Sequence, residues 1–132
     1  MIAENFTLVP TIKLGSIVAE PYLQDLQSLL ARSAPKRGRV VTITCKHFFA
    51  GAAAYVDGTI FMSLTPVGLA LKLPEDARTE LRKLGAKPLR YFPKGPIKKD
   101  YVVVSARLAK DSKALSPWIA QSIAFAQAGG KH

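Results

Sequence analysis

Residues 46–64 read Lys46-His47-Phe48-Phe49-Ala50-Gly51-Ala52-Ala53-Ala54-Tyr55-Val56-Asp57-Gly58-Thr59-Ile60-Phe61-Met62-Ser63-Leu64. Asp57-Gly58 separates two apolar runs. A two-residue turn of this kind needs positive φ at both central positions, which Asp and Gly tolerate, so the stretch predicts a β-hairpin. Upstream, Val41, Ile43 and Cys45 alternate with Val40, Thr42, Thr44 and Lys46, the period of a strand with one buried face. Downstream, Thr65-Pro66-Val67-Gly68 turns the chain into Leu69-Ala70-Leu71-Lys72-Leu73, a further strand. Three or four consecutive strands therefore form an antiparallel meander.

Helices flank the meander. Tyr22, Leu23, Leu26, Leu29 and Leu30 recur at helical spacing between Pro21 and Ser33, and Pro35 with Gly38 ends that helix. A second helix follows Pro74, with Glu75 and Asp76 at the positive end of its dipole and Gly85 as its stop. Its apolar stripe is Ala77, Leu81 and Leu84, which leaves Arg78, Glu80, Arg82 and Lys83 to face water. Leu89–Phe92 and Tyr101–Val104 read as short strands joined by a stiff basic loop over residues 93–100. A last helix carries Leu115, Trp118, Ile119, Ser122, Phe125 and Ala126 on one face. Pro117 means that either Ser116 caps this helix or an earlier start bends at the proline. The expected fold is α+β, a two-layer arrangement of an antiparallel sheet packed with helices, in the order α-β(3-4)-α-β(2)-α.

The chain has 132 residues, room for one domain, and is 48% hydrophobic, which excludes a disordered chain. Its single cysteine excludes an internal disulfide framework and a multi-cysteine zinc site. Met1–Glu20 lacks the basic start and unbroken apolar run of a signal peptide, and no apolar run approaches the ~20 residues of a membrane span. A cytoplasmic location, with the first residues as a loosely packed or partner-pairing extension, is the expectation.

Catalytic chemistry finds little to use. Cys45 and His47 share a strand face beside Lys46, the makings of a thiolate–imidazole pair, yet Cys45 also continues the apolar face of Val41 and Ile43. His132 is terminal. The carboxylates have no ligand spacing and no glycine-rich phosphate motif is present. Charge is the feature left over. The net charge is +10, and it is concentrated: residues 32–46 carry +5 and residues 78–99 carry +7. Such clusters attract nucleic acid, acidic proteins or membrane surfaces, and Tyr91, Phe92 and Tyr101 beside the second cluster are rings on which bases stack.

The stretch from Lys46 to Gly58 resembles the entry hairpin of the TfoX N-terminal domain. The pattern there is a basic residue, Met-Phe-Gly-Gly, a glycine two residues on, then an aromatic and Asp/Asn-Gly. The similarity continues through Gly68-Leu69-Ala70-Leu71-Lys72, Lys87-Pro88-Leu89-Arg90-Tyr91, Lys99-Asp100-Tyr101 and the Trp118 helix, from Ala19 to Ala128. Ala50 and Ala53 stand where the family pattern has glycine. The resemblance implies a two-layer α+β fold and kinship with the Sxy/TfoX regulators of natural competence, which act with the cyclic-AMP receptor protein at promoters. It divides the chain into an N-terminal extension (1–18), a TfoX N-terminal-like domain (19–128) and a tail (129–132). The expectation is a stand-alone N-terminal domain, without the second helical domain of those regulators.

The function expected is a non-enzymatic, transcription-associated regulatory or interaction module. Its basic surface would engage a protein or nucleic acid through Arg90, Lys94, Lys98 and Lys99, on a loop stiffened by Pro93 and Pro96. No cofactor, metal or membrane is expected. The alternative is a small-ligand-binding or enzymatic domain using Cys45, His47 and Tyr55. A homodimer formed through a strand edge or Met1–Glu20 is the third expectation.

Overall fold

The computed structural model describes residues 6–10, 20–33, 41–48, 50–91 and 94–129. The meander forms as expected from β2 (Val41–Phe48), β3 (Gly51–Val56), β4 (Thr59–Thr65) and β5 (Gly68–Lys72). Asp57 and Gly58 adopt φ of 49° and 87°, the conformation for which the hairpin signal stands. The turn is fastened to the neighbouring strand by Asp57 N–H donating to the Thr42 carbonyl at 3.0 Å. Gly51 opens β3 because nothing larger fits: a Cβ there would lie 2.2 Å from the Leu64 carbonyl oxygen and 2.7 Å from Thr65 Cα.

Among the described residues the sheet has seven strands in the order β1-β2-β3-β4-β5-β7-β6, with β1 (Phe6–Pro10), β6 (Lys87–Leu89) and β7 (Lys98–Val103) joining the meander. Every neighbouring pair is antiparallel except β1 with β2, which run parallel from Phe6↔Val41 to Pro10↔Cys45. Part of the leading segment thus adds an edge strand that no alternation in the sequence announced.

Among the described residues four helices, α1 (Glu20–Ser33), α2 (Glu75–Lys83), α3 (Ala106–Ala109) and α4 (Ser112–Gln127), accompany the sheet. α1 and α4 touch each other and the central strands, while α2 lies on β7. One core joins Leu23, Leu26 and Leu30 of α1, Ile43, Cys45, Ala52, Ala54, Val56, Met62, Leu71 and Val102 of the sheet, and Ala77, Leu81, Leu115 and Ile119 of the other helices. The sheet residues in this set are register partners, such as Cys45↔Ala54, Ala54↔Met62, Met62↔Leu71 and Leu71↔Val102. Partners in an antiparallel ladder share a face, so the helices form a single layer against one side of the sheet.

A bulge interrupts the centre of this face. Ala54 pairs with Met62 but Tyr55 with Ile60, which leaves Phe61 as the extra residue. The hydroxyl of buried Ser122 on α4 reaches into the gap, 2.7 Å from the Phe61 carbonyl and 2.8 Å from that of Lys72.

Several local expectations change. Leu84 is 60% exposed rather than part of the α2 stripe, because it is the C-cap and the helix has already ended. Arg78 is half-buried rather than facing water. The strand expected at Leu89–Phe92 occupies Lys87–Leu89, and Lys98–Asp100, read as loop, belong to β7. α3, capped by Ser105, had no sequence signal of its own. α4 starts at Ser112, where the Asp111 side chain accepts from Ala114 N–H at 3.1 Å, so Ser116 is not its cap. Pro117 lies inside the helix and gives up one backbone bond there. The break at residues 34–38, the cations Lys36, Arg37 and Arg39, Phe92, Pro93 and His132 lie outside the described residues. No described helix is long and apolar enough to cross a membrane.

Candidate interaction surface

The turn at Gly85 sends the chain from α2 into β6, and β6 pairs with β7. This brings α2 and the start of β7 to the two sides of a groove of about 410 Å³, lined by Arg78, Arg82, Pro88, Ile97, Lys98, Lys99 and Tyr101 with Glu75 and Asp100. Arg78 and Arg82 lie one helical turn apart, so both face it. Arg78 is held in place: its Nε donates to the Leu73 carbonyl at 2.9 Å and its Nη1 to the Lys99 carbonyl. Arg82 donates to Thr79 Oγ1 at 3.3 Å. Among the described residues one ion pair is formed, the exposed Lys83–Glu80 contact of 3.4 Å, so none of the groove cations is neutralised by a bound carboxylate.

Of the four residues expected to make contacts, Lys98 and Lys99 line this groove and are exposed. Arg90 and Lys94 are exposed but do not line it. Arg90 Nη1 donates to the Gly95 carbonyl at 2.8 Å and closes its own loop. Arg78 and Arg82, counted in the sequence only as part of a charge cluster, are brought in instead. Their i, i+4 spacing was the signal that marks them as a pair.

The second feature is the sheet face turned away from the helices. Strand alternation places Lys46, Ala53, Tyr55, Ser63, Ala70, Lys72 and Tyr101 on it, through the pairs Lys46↔Ala53, Ala53↔Ser63, Ser63↔Ala70 and Lys72↔Tyr101. Ala53, Ser63 and Ala70 are fully buried although they lie outside the main core, so something covers them. Tyr91 is part of that cover. Its hydroxyl lies 3.0 Å from Ser63 Oγ, and its ring meets Phe48 edge-on at a centroid distance of 5.6 Å. The Lys46 ammonium sits 5.0 Å from the centroid of the Tyr55 ring, within cation–π range. Burial raises the pKa of all three tyrosines. For Tyr91 the Ser63 hydrogen bond opposes burial; for Tyr101 the phenols of Tyr91 and Tyr55 and the Asp100 carboxylate add to it. The three phenols therefore lie within electrostatic reach of one another.

The alternative trio does not assemble. Cys45 and His47 share the helix-covered face, as their spacing requires, but Tyr55 is on the opposite one. Cys45 is fully buried, and desolvation pushes its thiol up to about 12, which disfavours the nucleophilic thiolate. Both ring nitrogens of His47 are buried without a hydrogen-bond partner. Among the described residues no three of His, Cys, Asp and Glu gather as a metal site would require.

A family model described as TfoX N-terminal domain matches residues 38–126, from the approach to β2 into the last turn of α4. No curated protein gave a significant match to the chain.

Proposed function

The chain belongs to the TfoX N-terminal domain family, and from that premise we propose that it is a non-enzymatic regulatory module that binds nucleic acid through its basic groove. The observation that carries this reading is the meeting of Arg78, Arg82, Lys98 and Lys99 in one groove, none of them in an ion pair with the Glu75 and Asp100 carboxylates that share its lining. Guanidinium and ammonium groups so placed suit successive phosphates. Arg90 and Lys94, exposed on the adjoining loop, extend the positive rim. The membership suggests a regulatory or competence-related setting, and a module that docks needs no reactive side chain.

Fluorescence anisotropy with labelled DNA, repeated across a salt series, tests the proposal. Affinity should fall linearly on a log–log plot, with a slope of about 0.9 for each duplex phosphate neutralised. The double variant K98E/K99E should weaken binding and flatten that slope. Salt-independent binding by the wild type, or none, would overturn it.

A further inference from the structure

Tyr55 stands on β3 and Tyr101 on β7, with β4 and β5 between them in the sheet. Three strand spacings separate them, roughly 14 Å. Tyr91 is fastened to Ser63 of β4 and lies between. Three half-buried phenols thus cross one sheet face, above Ala53, Ser63 and Ala70, which are fully covered. Lys46 rests over Tyr55 at one end. At the other, Lys72 is the register partner of Tyr101, a residue that also belongs to the lining of the basic groove. The Asp100 carboxylate acts on Tyr101 and Glu75 shares the groove lining with it, while Lys46 and Lys72 are the cations beside the row.

We infer that this row is a stacking platform for single-stranded nucleic acid, with bases lying on Tyr55 and Tyr101 and the sugar–phosphate chain continuing into the groove of Arg78, Arg82, Lys98 and Lys99. The inference rests on the nucleic-acid reading above and narrows it to unpaired strands. Duplex bases present only their edges, whereas a sheet face bearing aromatic rings offers flat surface to flat surface. Cations at both ends match a chain that carries one negative charge per nucleotide.

The test compares a labelled 15-nucleotide single strand with the duplex of the same sequence, on the full chain. The single strand should bind more tightly. Y55L/Y101L should lower single-strand affinity about tenfold or more without changing the salt slope, and Y55F/Y101F, which keeps both rings, should bind like the wild type. K98E/K99E should lower the slope by about 0.7 for each single-strand phosphate no longer neutralised. A salt-dependent duplex complex with no single-strand preference, or a folded Y55L/Y101L protein that binds like the wild type, overturns this inference and leaves the groove reading standing. Failure to bind either strand form overturns both.

Discussion

The Tyr91 hydroxyl and the Ser63 hydroxyl lie 3.0 Å apart, which ties a residue just beyond β6 to the middle of β4, 28 positions earlier in the chain. Ser63 is fully buried, so this contact satisfies a hydroxyl that water does not reach. Y91F should cost about 1 kcal/mol. Y91A should cost more, because the edge-on packing against Phe48 goes too, a further ~1 kcal/mol. Thermal melts of the two variants read the difference, expected at a few degrees per kcal/mol. An unchanged melt for Y91A would mean that the loop is not fastened to the sheet.

Cys45 links burial to pH. Its folded-state thiol is raised to about 12 from an ordinary value of 9.0, so folding favours the protonated form. That contribution is complete below pH 9 and is lost progressively as pH climbs toward 12. C45A should therefore lose less stability than the wild type as pH rises from about 8 to about 10.5, as read from urea midpoints. Iodoacetamide should label native Cys45 only through unfolding. Rapid labelling of the folded protein near neutral pH would contradict the buried placement.

Ser122 holds the bulge together from outside the sheet. With its hydroxyl 2.7 Å from the Phe61 carbonyl and 2.8 Å from the Lys72 carbonyl, S122A leaves both acceptors without it in a buried site. A destabilisation of about 1–3 kcal/mol is expected in equilibrium urea unfolding. A change within error would show that the bulge satisfies those carbonyls without α4.

Gly51 is fixed by sterics rather than by a turn. Since an added Cβ would come within 2.2 Å of the Leu64 carbonyl oxygen, a backbone atom that cannot rotate away, G51A must push β3 and β4 apart. We expect a destabilisation of about 1–3 kcal/mol or more and a lower melting temperature. Wild-type stability in G51A would refute the close approach of the two strands. Ala50 is exposed, so the same argument does not extend to it.

The meander, α1 and α2 were legible because their causes are local. Asp57-Gly58 determines its own turn, Leu23, Leu26 and Leu30 define a helix face whatever it packs on, and Ile43 and Cys45 declare a buried strand face by alternation. The start of α4 was legible in principle, since Asp111 is a good cap, but Pro117 and Ser116 drew the boundary inward. β1 was not legible. Its parallel partner β2 lies beyond α1, and no short-range signal states such a pairing.

The amino-acid order alone determined the α+β class, the position of the cations near the second helix, and the shared face of Cys45 and His47, because turn chemistry and side-chain period act within a few residues. Only the tertiary structure decided that Arg78 and Arg82 face Lys98 and Lys99, that Arg90 serves its own loop, and that Tyr55 leaves Cys45 for the opposite face and lines up with Tyr91 and Tyr101. The groove and the tyrosine row pass through the pairing of β5 with β7 across α2 and β6, while the register of β2 with β3 parts Tyr55 from Cys45 and Arg90 bonds five residues along its own loop. A ladder between distant segments sets which side chains share a face, and its register is a property of the packed core rather than of any stretch of sequence.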